Sequence, residues 1–397
     1  MSYPKTITAT EMRGINRSAI LEIIRRESPI SRTLIAERLD VSLPTVMRVI
    51  DDLIAEGLVR PHNYKQWSGG RRRSLIEFNC EDQVVIGIDM GGNRMFGGVA
   101  DLGGKLLDET ELSRLGTSGE TSYERLGELI QKLLDSPRIA GRKVRGIAVG
   151  VPGVTLHKEG MIVWAPSLEW RNYPLKKKLL DQFHYPITVD NDVNLAALGE
   201  LWFGAGQNAR NIVLITIGAG IGAGIIIDGA LYRGASEASG EIGYLLPGRE
   251  FLGKRYDSFG ALEDLVSGTG IVQRARETLV PRKSLEELAN LEVEDVFTAA
   301  RNGETWAKSI IDSAVDYLAI AVASLNCYFD PDVIILGGEV ARYFESPVQA
   351  ILQKIEGTIP YQVHLATSTL DRRAAVMGAI TTILHNTSDF YVVHKLS

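Results

Sequence analysis

Cysteine is nearly absent: Cys80 and Cys327 are the only two in 397 residues. Two distant cysteines make neither a disulfide framework nor a zinc site built on thiolates, so no zinc is expected on that ground. Free Cys is among the most often buried residues, and both thiols are expected in the interior. Long apolar runs are lacking too. No stretch approaches the roughly 20 residues that span a bilayer, and Met1-Ser2-Tyr3-Pro4-Lys5 is not followed by a secretory apolar core, so the chain reads as cytoplasmic with no membrane partner. Nor is the chain short of core-forming residues: 45% hydrophobic and 23% charged are the proportions of a soluble globular protein. The length exceeds one ordinary core and suits a small module plus a larger, bilobed body.

What is present is divided by charge. Residues 1–80 hold 13 Lys and Arg against 9 Asp and Glu, whereas the remaining residues hold 30 against 40. A basic part on an acidic chain hints at nucleic acid. Within residues 16–60, apolar residues fall at helical spacing in three blocks: Ile20, Ile23 and Ile24; Leu34, Ile35 and Leu39; and Val46, Val49, Ile50, Leu53 and Ile54. Ser31 and Ser42 stand where helix N-caps belong, with Pro44 at a tolerated first-turn position. Only Asp40-Val41 separates the second block from the third, which forces a helix-turn-helix.

Residues 57–60 and 75–78 read as two short strands around a tip containing Lys65, Gly69, Gly70, Arg71, Arg72 and Arg73. That is the layout of a winged helix binding a double-stranded DNA operator. Ser42, Thr45 and Arg48, at the front of the third helix, would reach base edges in the major groove. Lys65 and Arg71 to Arg73 would meet phosphates or an adjacent minor groove.

From Gln83 the pattern turns β-rich with glycine punctuation. Strands are expected over 84–89, 96–101, 105–107 and 144–150, with a helix over 123–134. The grammar recurs over 212–217 and 225–227, followed by a helix over 314–327 and a strand over 333–336. Two such openings imply two α/β lobes with a cleft between them. The expected domains are 1–80, 81–195 and 196–397, the last with a C-terminal helix returning to the first lobe. Glycine turns after Asp89, at Gly218-Ala219-Gly220 and at Gly337-Gly338 would let backbone N–H groups approach phosphate. Tight-turn geometry alone explains the second equally well. After a strand over 187–189 comes Asp190-Asn191-Asp192, opening a helix over 195–202. A carboxylate there can accept a proton from an attacking sugar hydroxyl. Helix capping by Asp190 or Asn191 is the competing use, and one cap suffices, which leaves Asp192 for the cleft.

Read in order, Ile88-Asp89-Met90-Gly91-Gly92, Gly150-Val151-Pro152-Gly153, Asn191-Asp192-Val193-Asn194, Gly218-Ala219-Gly220-Ile221-Gly222, Gly240-Glu241-Ile242-Gly243, Leu336-Gly337-Gly338 and Met377-Gly378-Ala379 resemble the ROK (repressor, open reading frame, kinase) family. That resemblance implies an actin-like sugar kinase fold. With the winged helix attached, the chain is similar to the family's xylose-repressor-like transcriptional regulators. By resemblance, Asn191, Asp192, Glu241, Glu263, Ser167, Gly153 and Tyr244 would form the sugar site, with Asp192 the base in members that are kinases. Asp89, Gly91, Gly92, Gly218, Gly220 and Gly337 would face phosphate, magnesium and nucleotide.

Departures from the family pattern bear on function. Asn93-Arg94 replaces a usual Thr-Lys and Ala219 a frequent Thr, removing two hydroxyls from turns that face phosphate. Tyr244 stands where a zinc-binding histidine is common, and no Cys or His lies between it and Glu263, so no zinc is expected there and a packing contact of Tyr244 could replace the staple. The resemblance implies a DNA-binding regulator, a repressor in the first instance though activation fits equally, with a sugar effector and no required cofactor, acting as a homodimer or higher oligomer. The alternatives are a sugar kinase using ATP and magnesium with an appended DNA-binding domain, and a constitutive DNA binder with a degenerate body.

Overall fold

The computed structural model describes residues 9–62, 74–92, 94–114, 116–256, 260–280 and 284–384. Lys65 and Arg71 to Arg73, expected on the wing, lie outside the described residues, as does Asn93.

The N-terminal module holds α1 (Ala9–Glu27), β1 (Ile30–Ser31), α2 (Arg32–Leu39), α3 (Leu43–Ala55), β2 (Val59–Pro61) and β3 (Leu75–Phe78). Ser31 caps α2 by accepting from the Leu34 amide, and Ser42 caps α3 by accepting from the Thr45 amide. Val46, Val49, Ile50 and Leu53 form the buried face of α3. Strands β2 and β3 pair antiparallel, and β1 joins the far edge of β3. This is a winged helix-turn-helix.

The first lobe contains β4 (Gln83–Asp89), β5 (Arg94–Asp101), β6 (Leu106–Ser113), α4 (Gly119–Leu134), β7 (Lys143–Val151), β8 (Val154–Leu156), β9 (Met161–Ala165), β10 (Trp170–Tyr173), α5 (Leu175–Phe183) and β11 (Ile187–Asn191). Its sheet runs β11-β7-β4-β5-β6, and β8 to β10 form a small separate sheet. Helix α6 (Asp192–Phe203) leads to β12 (Ile212–Ile217), β13 (Ile221–Ile227), β14 (Ala230–Leu231), α7 (Ala261–Val266), α8 (Gly268–Leu279), α9 (Leu285–Ala289), α10 (Val293–Arg301), α11 (Thr305–Phe329), β15 (Val333–Gly337), α12 (Pro347–Ile355), β16 (Leu365–Thr367) and α13 (Ala374–Leu384). The second sheet, β14-β13-β12-β15-β16, repeats the plan of the first: three strands linked antiparallel, then two added parallel. The same succession of buried strands and glycine turns has folded twice, giving the bilobed actin-like body.

Two helices join the parts. Helix α13 packs on β4, β5 and β7 of the first lobe and crosses α6. Any side chain at Gly199 would overlap the Ala374 carbonyl, and one at Gly378 the Leu195 carbonyl, so the crossing brings backbone against backbone. Met377, Ile380 and Ile383 of α13 share one core with Ile20, Ile24 and Leu53 of the winged helix. Polar contacts add to this. Glu56 accepts from Arg17 and Arg145, each at 2.8 Å, and Gln83 Nε2 donates to the Glu56 carbonyl at 2.9 Å.

Three expectations fail. Cys80 is half-buried and Cys327 exposed, rather than both interior. Helix α11, 25 residues long, is apolar enough by length and composition to cross a membrane, although no such run was expected; half of its most apolar window is buried, and Ala314, Leu318, Val322 and Leu325 sit in the second-lobe core. Tyr244 does not staple the following loop: it is 55% exposed. Phe251 makes that attachment instead, edge-on to Tyr317 of α11 with ring centroids 6.0 Å apart.

Candidate functional site

A cavity of about 600 Å³ lies between the lobes. Asn191, Asp192, Ser167, Gly153, Glu241, Tyr244 and Glu263 all line it, and so do Asp89, Gly91, Gly92, Gly218, Gly220 and Gly337. The cavity thus joins every body residue expected from the sequence to face sugar, phosphate or nucleotide, drawn from elements that are far apart along the chain.

Local geometry assigns these side chains different tasks. Asn191 is the N-cap of α6: its Oδ1 accepts from the Asn194 amide at 3.0 Å, and its Nδ2 donates to the Gly153 carbonyl at 3.1 Å. Asp192, relieved of capping, stands on the first turn and accepts from the amide of its neighbour Val193 at 2.9 Å. Asp89 Oδ1 accepts from the Gly91 amide at 2.7 Å. A Cβ placed on Gly91 would lie 2.9 Å from Asp89 Oδ1 and 3.2 Å from Asp192 Oδ2, so the two carboxylates flank this glycine and only hydrogen fits between them. On the facing lobe, Glu263 Oε1 would lie 2.5 Å from a Cβ at Gly220.

Four carboxylates enclosed in one cleft repel each other and lose water. Burial pushes Asp89 up to about 6, against the Gly91 hydrogen bond. Asp192 is pushed up to about 7, first by burial and then by Asp89 and Glu241. Glu263 rises to about 8 through burial and the charges of Glu241 and Asp264, and Glu241 is raised by burial. Carboxylates with pKa values raised toward neutrality have the basicity that suits proton transfer near neutral pH.

Two arrangements have no forerunner in the sequence reading. Arg114, buried just beyond β6, donates from Nε and Nη2 to the Gly92 carbonyl at 2.8 and 2.5 Å and from Nη1 to the Ser167 carbonyl at 2.8 Å. It ties the first glycine turn to the turn Pro166–Leu168; burial lowers its pKa while Asp192 pulls the other way. Asp190 is neither cap nor cleft residue. It is 1% exposed and takes a two-pronged contact from Arg233 of the second lobe, at 2.8 and 2.7 Å. Glu237 adds a contact to Arg233 at 3.4 Å and to His157 at 2.9 Å. This network clasps the lobes beside the cleft.

At the other end of the cleft the glycine turns are partly occupied by their own chain. Gly218 N donates to the Gly220 carbonyl at 2.8 Å. The first amides of α8 are spent: Gly268 on the Gly218 carbonyl, Thr269 on the Ala219 carbonyl, and Gly270 on Ser267 Oγ. A helix start that would otherwise attract phosphate is therefore capped by the β12–β13 hairpin. The described residues contain no group of three or more His, Cys, Asp or Glu placed to hold a metal ion.

In the winged helix, Ser42, Thr45 and Arg48 stand together at the front of α3. The Ser42 hydroxyl is engaged as the cap and lies 2.8 Å from the Thr45 hydroxyl, whereas Arg48 is exposed and has no ion-pair partner among the described residues.

The sequence model of the ROK family matches residues 85–386, and one described as winged helix-turn-helix DNA-binding matches residues 15–60. The chain is 28% identical to a xylose repressor of Caldicellulosiruptor bescii over 395 residues, covering 96% of this chain and 98% of that one. It is 31% identical to a glucokinase of Halalkalibacterium halodurans over 309 residues, covering 75% and 92%. Among solved structures it resembles a ROK family transcriptional regulator that is a homolog of the Escherichia coli MLC protein, with a TM-score of 0.79, 24% identity and 94% and 97% coverage. That likeness spans winged helix and body together.

Proposed function

The chain belongs to the ROK family, and from that premise we propose that it is a sugar-responsive DNA-binding transcriptional repressor of carbohydrate-utilisation genes. The observation that carries this reading is the shared core of the winged helix and α13, which fixes a DNA-binding module to a body containing a carboxylate-lined cleft. Sugar hydroxyls are donors, and Asp192, Glu241 and Glu263 offer acceptors at close range. Gly153, Ser167 and Tyr244 would complete the sugar's surroundings, and Asn191 would orient it through the side-chain amide N–H that its bond to the Gly153 carbonyl leaves over. The repressor would act in the cytoplasm as a dimer or higher oligomer on a double-stranded operator, its two winged helices respaced when the lobes close on sugar. It would need no zinc and no other cofactor.

A kinase reading draws on one observation, an Asp192 whose pKa near 7 suits a general base. In that reading Asp89 would face magnesium, which would neutralise charge on ATP. Against it stand the engaged amides of α8 and the hydroxyls missing from the turns. Fluorescence anisotropy of duplex DNA from upstream of the gene, titrated at fixed salt with a panel of free sugars, tests the proposal. One sugar should change the affinity by about 5- to 150-fold, the range of a typical coupling energy. Specific binding that no sugar alters would overturn the sensor and leave a constitutive DNA binder.

A further inference from the structure

The front of α3 carries an apolar surface that its own fold does not use. Leu43 is 40% exposed and Met47 46%, and Pro44 between them is exposed as well. Leu43 and Met47, four residues apart, lie along one flank of the helix face that points away from the buried Val46, Val49, Ile50 and Leu53. Arg48, next in sequence, carries the charge of this surface.

Charge fixes how the helix presents itself. Its later exposed turn is acidic: Asp51 lies 3.9 Å from Arg32 and Asp52 lies 3.6 Å from Arg13. These carboxylates would be repelled by a phosphate backbone, so the helix must meet DNA by its first two turns. There the base edges present hydrogen-bonding atoms to Arg48, and thymine alone presents a methyl group. Ser42 is committed to capping, which leaves the apolar flank to do much of the reading.

We propose that Leu43 and Met47 are specificity-determining residues that read thymine methyl groups in the major groove, so that each operator half-site places thymines opposite the start of α3. The proposal rests on the DNA-binding reading and names the chemistry by which it selects sequence. The area these side chains would cover is apolar and small, and its contact with a methyl group gives discrimination without adding a phosphate contact.

The test uses the full-length protein. Duplexes are first selected from a random pool, then each thymine of the enriched site is replaced in turn by deoxyuridine, which removes only the methyl group. At one or more positions per half-site the affinity should fall by about fourfold, the equivalent of one methyl group returned to water. Met47→Ala or Leu43→Ala, both at exposed positions, should weaken binding to the thymine duplex and abolish the difference from deoxyuridine at its own position. Loss of sensitivity in the variant with binding to random duplex unchanged would support the assignment. Enrichment of a site in which no thymine methyl matters, or Met47→Ala and Leu43→Ala proteins that both keep the full difference, would overturn it and leave the DNA-binding reading intact. Failure to enrich any duplex would overturn both.

Discussion

The guanidinium carbon of Arg25, in the winged helix, lies 4.7 Å from the ring centroid of Trp202, at the end of α6. Glu22 holds it there at 2.9 and 3.0 Å. Because α6 begins at Asp192 in the cleft and is locked to α13 by the Gly199 and Gly378 crossing, the stack joins the far end of a rigid helix to the DNA-binding module. A shift of Asp192 on ligand binding would therefore be felt at α1.

Arg25→Gln should expose this link. A stacked cation contributes on the order of 0.5–2 kcal/mol, comparable with the coupling energy itself. The expected outcome is a protein with nearly normal affinity for sugar and for DNA in which the sugar effect on DNA binding shrinks by about two- to thirtyfold. Anisotropy titrations with and without sugar measure this. An undiminished sugar effect would mean that the signal passes elsewhere, for example through Glu56 and Arg145.

The clasp between Asp190 and Arg233 should matter for stability. Removing one partner leaves the other buried and charged, so Arg233→Ala is expected to cost roughly 3–5 kcal/mol in urea unfolding. Asp190→Asn combined with Arg233→Met should recover much of that loss, because Asp190, the more deeply buried carboxylate, no longer carries an unpaired charge. Equal loss in single and double variants would show that packing, not charge, dominates at this position.

The cleft carboxylates predict the opposite pH trend from ordinary ion pairs. Their folded-state pKa values are raised, so between about pH 4 and 8 the native state holds protons that the unfolded chain has released. The stabilising contribution is complete below the unfolded values and is lost as pH rises through about 6 for Asp89, 7 for Asp192 and 8 for Glu263. Sugar-free protein should therefore lose thermal stability between pH 6 and 8.5 from this source. Asp192→Asn should melt higher than the parent at pH 8 and flatten the difference between the two pH values. A parallel pair of melting curves would refute the shift at Asp192.

Much of this arrangement was legible because glycine and caps mark backbone geometry locally. Ser31, Ser42 and the short Asp40-Val41 connection placed the helix-turn-helix, and the glycine turns after buried strands placed both lobes. What escaped was set by distance or by weak local signal. Strand β6, expected over only three residues, extends to Ser113 because its polar alternation suits a sheet edge. Strands β8 to β10 are too short to stand out. The pairing of Asp190 with Arg233 joins positions 43 residues apart, and the carbonyls that Arg114 grips come from two separate turns. A lone charged residue gives no sign of such partners.

The proposed absence of zinc beside Tyr244 has a direct consequence. In the loop after Tyr244, Phe251 stands edge-on to Tyr317 of α11, a ring contact that would replace a metal staple. Prolonged dialysis against a strong chelator should leave the melting temperature and sugar response unchanged, and metal analysis should find far less than one zinc per chain. A chelator-dependent fall in melting temperature would place a structural metal in the protein.

Nucleotide binding separates sensor from kinase at the opposite end of the cleft. With Ala219 in the turn and the amides of Gly268, Thr269 and Gly270 already bonded, a triphosphate gains few donors there. ATP with magnesium is expected to bind with a Kd above about 1 mM, so that 1 mM ATP stabilises the fold by no more than about 0.4 kcal/mol. A thermal melt should then show no saturable shift with ATP while the cognate sugar produces one. A saturating shift at micromolar ATP would mean that the hairpin releases α8 to the nucleotide. In that event Asp192→Asn should abolish phosphoryl transfer to the sugar, whereas in a pure sensor the same substitution has no turnover to abolish and shifts sugar affinity.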